Sequence, residues 1–356
     1  MLRLQTRRNI CLTLAGLLPT LVGAASSATL RVLAWPGYAD PDVVKDFEQR
    51  HQAKVEVTYI ATDEDLWRKL SLTQGADFDV FAVNTAELQR YISRGWVAPI
   101  ALTAIPNTSQ LLPRFAQLGA IPGLKKAEQI YALPYAYAEM GLLYDRQQMP
   151  QMPRGPQGPD SIASMWDSRW RGKVIAYDGG THNFSLAAQR LGLASPFQLH
   201  SRHWPAAVDA LIALRRNVGG FYTQPEESVA LFKARKAALM FANFGRQQLQ
   251  MLREAGIDAG YALPKEGALA WLDCWAVTTA AHNPGLAHAW INHVLGTEPG
   301  RLLATRQGLG STTAGSPDYR ADDRLLWLQP VESDERRNLL WRRIAAGDRA
   351  SRVLAA

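Results

Sequence analysis

The sequence predicts an α/β fold of two lobes, each a mostly parallel sheet flanked by helices, with extended segments forming the hinge. Three observations predict it: a strand–helix series before residue 94, a second series after residue 173, and extended stretches between them. The 356 residues are 47% hydrophobic and 20% charged, which suits a folded chain long enough for two ordinary domains.

The first series opens with a strand over 30–35 (LRVLAW). A helix over 41–52 follows, entered through Asp40 as cap and Pro41 at its first position. Residues 54–60 (KVEVTYI) alternate with period two, as a strand does. A helix over 63–73 then presents Leu66, Leu70 and Leu72, a buried strand covers 78–83 (FDVFAV), and a helix covers 85–93. Residues 130–137 and 141–144 read as extended, and 149–159 (MPQMPRGPQGP) as a surface loop. The second series places strands over 174–177, 237–242 and 268–279. Its helices fall over 181–193, 204–217, 226–235, 245–255 and 286–303. The lobes then comprise 29–137 with 271–316, and 138–270 with 317–356. They cross near 135–140, 269–271 and 312–319. A cleft between lobes is where small ligands bind.

The N-terminus sets the compartment. Arg3, Arg7 and Arg8 precede an apolar run from Ile10 and the small residues 25–28 (ASSA), the order of a signal peptide cleaved after Ala28. This predicts a periplasmic protein. Without residues 1–28 the chain has 36 basic and 32 acidic residues, a balance of +4. The excess is mild and dispersed, so no nucleic-acid partner is expected. Cys11 lies in the signal segment. Cys274 is then the one remaining thiol, and no internal disulfide can form.

Three constellations carry chemistry. Trp35-Pro36-Gly37-Tyr38 ends the first strand, where ligands of open parallel sheets bind; it is either an aromatic pocket wall or a turn covering a core edge. On the strand 268–279, Trp271, Asp273 and Trp275 share one face, while Leu272, Cys274 and Ala276 share the other. A carboxylate between indoles suits an ammonium, or else an internal Arg. Cys274 reads as a buried, inert thiol. The third is the Gly-rich turn 178–183 (DGGTHN), which is either an anion-holding helix N-terminus or a plain cap. Hydrolase, zincin and P-loop motifs are absent, and the His residues have no metal-ligand spacing, so neither an enzyme nor a cofactor is predicted. The basic C-terminal stretch around Arg336, Arg337, Arg342 and Arg343 reads as a solvated helix face.

These segments together resemble the spermidine/putrescine-type binding proteins of ABC importers, which have the type II periplasmic binding protein fold. The likeness runs through Trp35–Tyr38, 63–70 (DEDLWRKL), 75–80 (GADFDV), 133–135 (LPY), 264–267 (PKEG) and 271–273 (WLD). It implies a monomeric receptor that binds a polyamine between aromatic walls and carboxylates and docks on an inner-membrane permease. The matching positions are Trp35, Tyr38, Trp271 and Asp273, with Asn84 and Thr85 in place of the family's Ser-Thr, and Gln329 for a C-terminal Gln. The departures are Ala86 and Ala242 for two aromatics, and Gly179 and His182 for two distal acids. A second ammonium left without counter-charge costs several kcal/mol. The expectation is therefore that Asp178, Glu139 or Glu87 steps in, or that the ligand is a monoamine or γ-amino acid. In that case His182, Asn243 and Arg246 would meet its other end, Arg246 through a carboxylate. A reading of another class is a thiaminase-like enzyme with Cys274 as nucleophile, disfavoured because Cys274 faces away from Asp273.

Overall fold

Two long strands, Ala132–Asp145 and Ala268–Thr278, run antiparallel through the middle of the molecule, with Leu269 opposite Met140 and Ala276 opposite Ala132. The computed structural model describes residues 28–149, 159–315 and 323–355. The expected signal segment before Ala28, most of the 149–159 loop and part of the third crossing segment lie outside the described residues. Beside Ala268–Thr278 lies Val80–Asn84, antiparallel, followed by Thr29–Ala34 and Lys54–Tyr59 in parallel. Beside Ala132–Asp145 lies Leu239–Ala242, antiparallel, followed by Val174–Tyr177 and Val218–Tyr222 in parallel. The outer strands are thus parallel, as strand–helix alternation requires, and the two long strands join them into one sheet.

The hydrophobic residues gather on both sides of this crossing. One core takes Leu33, Phe47, Leu66, Phe81 and Trp290, ending at Ala138 and resuming at Leu272. A second takes Leu269, Met140, Phe184, Trp204, Phe241 and Trp341, and a smaller one on the opposite face takes Ile175, Tyr222, Met240 and Leu252. Trp271 packs against both large cores.

Local signals account for the helix starts near the cleft. Thr62 caps Asp63–Thr73 through the Asp65 amide, and Asn84 caps Thr85–Ser93 through the Ala86 amide. Three expectations are corrected. Residues 132–137 and 141–144 fall in one strand, Ala132–Asp145, while Ile130 pairs separately with Lys125; the missing side chain of Gly141 makes room for Tyr261, whose hydroxyl accepts the Gly141 N–H at 2.9 Å. The helix over 286–303 is two, Pro284–Val294 and Thr297–Gln307. Pro299 has no N–H to continue the first helix and fits the first turn of the second. The C-terminal helix Asp334–Ala345 is also not a solvated face throughout: Arg337 is fully buried, bonding Glu332 and the Ser185 hydroxyl, and Trp341 lies in the core.

Candidate functional site

The site begins where the first strand ends. Gly37, with φ of +87°, lets the chain turn so that the Tyr38 N–H bonds the Trp35 carbonyl at 3.2 Å. The turn drives Tyr38 inward, edge-on to Tyr135 with centroids 5.3 Å apart, and its hydroxyl donates to Asp273 Oδ2 at 2.6 Å. Asn84 caps its helix with Oδ1 and donates Nδ2 to Asp273 Oδ1 at 3.1 Å. Asp273 is 7% exposed. Burial pushes its carboxyl up to about 6, opposed by the two hydrogen bonds, so it is ionised at neutral pH. No basic side chain among the described residues is paired with it, which disposes of the internal-Arg reading.

Two more acids face the same space. Asp63 opens its helix and its side chain is exposed. It is pushed up to about 7 by desolvation first, then by the charges of Asp273 and Glu87 and of Asp334 from the opposite lobe, with Arg90 opposing. Its side chain has no hydrogen-bond or ion-pair partner among the described residues. Asp334 opens the C-terminal helix and accepts from the Thr181 hydroxyl and from Asn338 Nδ2 at 2.9 Å.

The second lobe supplies an aromatic wall. Tyr177, partly exposed at the end of its strand, meets His182 edge-on at 5.3 Å, Tyr222 at 5.6 Å and Phe244 at 6.2 Å. Burial pushes His182 down to about 4, so its ring is neutral at pH 7. Asn243 is nearly buried, and its Oδ1 has no partner among the described residues. Its backbone carbonyl accepts from Trp271 Nε1 at 3.2 Å. Trp35 Nε1 is likewise buried without a partner.

Of the positions singled out from sequence, Tyr38, Asn84 and Asp273 meet directly, and Trp35 opens the turn that carries Tyr38. Trp271 and Asn243 meet each other, and His182 belongs to the opposite wall. Thr85 is buried in the first turn of its helix, leaving the Asp273 contact to Asn84. Gln329 is exposed just past the strand Leu325–Trp327, and no described residue bonds its side chain. Arg246 donates its Nε to the buried Glu139 at 2.7 Å, and its guanidinium lies 4.7 Å from the Tyr261 ring centre, so part of its charge is already balanced within the protein. The three acids expected to stand in are also tied elsewhere: Glu139 to Arg246, Asp178 to Trp341 Nε1 at 2.6 Å, and Glu87 to Arg90 at 2.9 Å. Asp63 and Asp334 are instead exposed at the starts of their helices, without a cationic partner among the described residues. Trp275 is core, edge-on to Trp290 at 5.8 Å, rather than cleft wall. Cys274 is fully buried and its thiol pushed well up by burial. Among the described residues no cluster fit for a metal occurs, and no helix is long and apolar enough to cross a membrane.

Comparison with known proteins agrees with this architecture. The putrescine-binding periplasmic protein PotF of Escherichia coli (strain K12) is 24% identical over 283 residues, covering 76% of this chain and 74% of that protein. A putrescine/cadaverine-binding protein of Pseudomonas aeruginosa is 22% identical over 357 residues, covering 92% and 98%. The Tp0655 (TpPotD) lipoprotein of Treponema pallidum superposes with a TM-score of 0.73 at 17% identity, over 89% of this chain and 99% of that one. The Atu4243-GABA receptor superposes at 0.65 and 14% identity, over 92% and 97%. Both structures share the fold. Residues 42–325 match the family described as bacterial extracellular solute-binding protein, and the chain belongs to that family.

Proposed function

We propose that this protein is the periplasmic receptor of an ABC importer and that it captures a polyamine, or a diamine of similar length, between its lobes. The observation that carries this reading is an excess of negative charge in the cleft. Asp273 is buried, ionised and hydrogen-bonded by two neutral donors, Tyr38 and Asn84, with Asp63 and Asp334 nearby and no cation paired to any of the three. An unpaired carboxylate held away from water, as Asp273 is, is costly, and an ammonium ligand offsets that cost through charge-assisted hydrogen bonds. Trp35 and Trp271 supply the aromatic surface for the methylene chain and its charges. The relatives named for putrescine and cadaverine support the same class.

A γ-amino acid needs a cation for its carboxylate. With Arg246 held by Glu139, the cleft does not favour that ligand. The receptor binds without a chemical step, since the thiol is sealed in the core, and it hands its ligand as a monomer to a permease. Isothermal titration against putrescine, cadaverine, spermidine and γ-aminobutyrate tests the reading: the amines bind and the zwitterion does not. Binding of the zwitterion alone would sink it.

A further inference from the structure

Charge is distributed unevenly over the second lobe. The strands Val174–Tyr177, Val218–Tyr222 and Leu239–Ala242 are parallel and start level, with Leu239 opposite Val174 and Val174 opposite Val218. Their carboxyl ends face the cleft, so their starts form the far edge of the lobe. Each strand is entered through exposed cations: Arg171 and Lys173 before the first, Arg216 before the second, and Lys233, Arg235 and Lys236 before the third. The C-terminal helices bring more to this edge. Asp334–Ala345 ends in Arg342 and Arg343, and Arg349 and Arg352 open the short helix Ala350–Leu354. Arg343 donates to the Arg352 carbonyl at 2.9 Å. A Cβ at Gly347 would lie 3.5 Å from an Arg215 guanidinium nitrogen, which joins this corner to the end of Trp204–Asn217.

The acids at this edge are few and engaged. Asp167, Asp258 and Asp348 pair with Arg169, Arg146 and Arg352, while Asp145 and Glu254 accept from Gln148 and Gln250. The cations that enter the three strands have no acid paired with them among the described residues. A helix dipole accounts for a cation in a last turn, such as Arg216 or Lys233. It does not account for Arg171, Lys173 and Lys236, which lie in no helix, or for Arg349, at a helix start where the dipole opposes it. The first lobe differs: at the corresponding edge Arg50 pairs with Asp46 and Lys54 with Glu56.

We propose that this far edge of the second lobe is a docking surface for anionic phospholipid, which holds the exported receptor reversibly on a membrane with its cleft turned to solution. The inference goes beyond the amine reading and needs only that the chain is exported. The cations are spread over the ends of three strands and several helices rather than gathered in a cavity, which suits a layer of headgroups. An acidic protein would be met by apolar anchors as well as charge, and among the described residues this lobe exposes one large apolar side chain, Leu191. Each cation close to an anionic bilayer strengthens binding about fivefold, and salt screens the attraction beyond about 10 Å at 0.1 M.

The test is sedimentation of the exported protein with vesicles of phosphatidylcholine, alone or with about 30% phosphatidylglycerol, in low salt and in about 0.5 M salt. Wild type should bind the anionic vesicles alone and be released by salt. Combining Arg171→Gln, Arg216→Gln, Lys236→Gln and Arg349→Gln should weaken that binding by about 100-fold or more. No side chain among the described residues bonds these four, so the variant should keep the wild-type melting temperature. Removing four exposed cations of the first lobe, by Lys45→Gln, Arg68→Gln, Arg94→Gln and Lys126→Gln, should cost less than about fivefold. Equal losses in the two variants would reduce the effect to net charge and overturn the surface. Wild type that ignores anionic vesicles in low salt also overturns it, and retention on immobilised polyglutamate would then assign the edge to an acidic protein. The assay contains no amine, so its outcome is separate from that of the amine reading.

Discussion

Replacing Asp273 by asparagine is expected to weaken ligand binding and to strengthen the empty protein. The two effects have one cause. In the folded chain the carboxyl sits at about 6 because burial disfavours its charge, against 3.8 for an ordinary Asp. A carboxyl with a raised value binds its proton more tightly folded than unfolded. Stability from this group is therefore full below about pH 4 and falls as pH rises toward 6 and beyond. A shift of that size amounts to about 2 to 3 kcal/mol at neutral pH. Asparagine escapes this penalty. It keeps one acceptor oxygen but turns an N–H2 toward a second donor, Tyr38 or Asn84, which gives back about 1 kcal/mol. The empty variant should therefore be more stable than wild type by about 1 to 2 kcal/mol at pH 7.5, and no more stable at pH 4.5. Binding moves the other way: an ammonium left facing a neutral amide loses about 2 to 5 kcal/mol, or about 30-fold to several thousandfold in Kd. Urea unfolding at the two pH values and titration with putrescine measure both. A variant less stable than wild type at pH 7.5, or one that holds putrescine within threefold, would refute the reasoning.

Other outcomes follow from the same site. Diamine binding should weaken by at least about tenfold between pH 7.5 and 5.5, because Asp273 (about 6) and Asp63 (about 7) take up protons there; titration in buffers of different ionisation enthalpy should show proton release on binding. Arg246→Met should destabilise the protein by about 3 to 5 kcal/mol at pH 8 by stranding Glu139. The loss should be smaller at pH 6, since Glu139 already sits at about 7 and can be protonated. Adding Glu139→Gln should restore most of it, as read by thermal melting. Cys274 should resist iodoacetamide in the native protein and react promptly in urea, as mass spectrometry would report, because its thiol is sealed and held protonated.

All but one of the outer strands on the main path of the sheet, and the capped helices, were legible in the sequence because their signals are local. Thr62, Asn84 and Pro41 mark helix starts by chemistry that acts within one turn. The strand Val218–Tyr222 was not legible: Gly219 and Gly220 break the β pattern, and a Cβ at Gly219 would meet the Gly172 carbonyl at 2.2 Å, so tertiary packing dictates Gly219. In the site, Tyr38 and Asp273 were each singled out, through the aromatic turn and the lone acid among indoles, but not as a hydrogen-bonded pair. Asp63 and Asp334 escaped notice for a physical reason. An acid in the first turn of a helix is already explained by the helix dipole, so nothing in the local pattern asks for a second role. The partner of Arg246 was hidden for the converse reason: Glu139 lies 107 residues earlier on a strand that reads as apolar.

The long strand Ala268–Thr278 sets the order of assembly. It fills the gap between Val80–Asn84 and Ala132–Asp145, and Asn84 must wait for a partner 189 residues later in the chain. The first lobe therefore cannot close its sheet while only its own N-terminal portion has been synthesised. Until residue 278 is available, two strand edges stay open and their apolar faces stay uncovered. Contacts of such sequence separation slow folding. Such a chain folds slowly and late, with a long interval in which a chaperone can hold it extended.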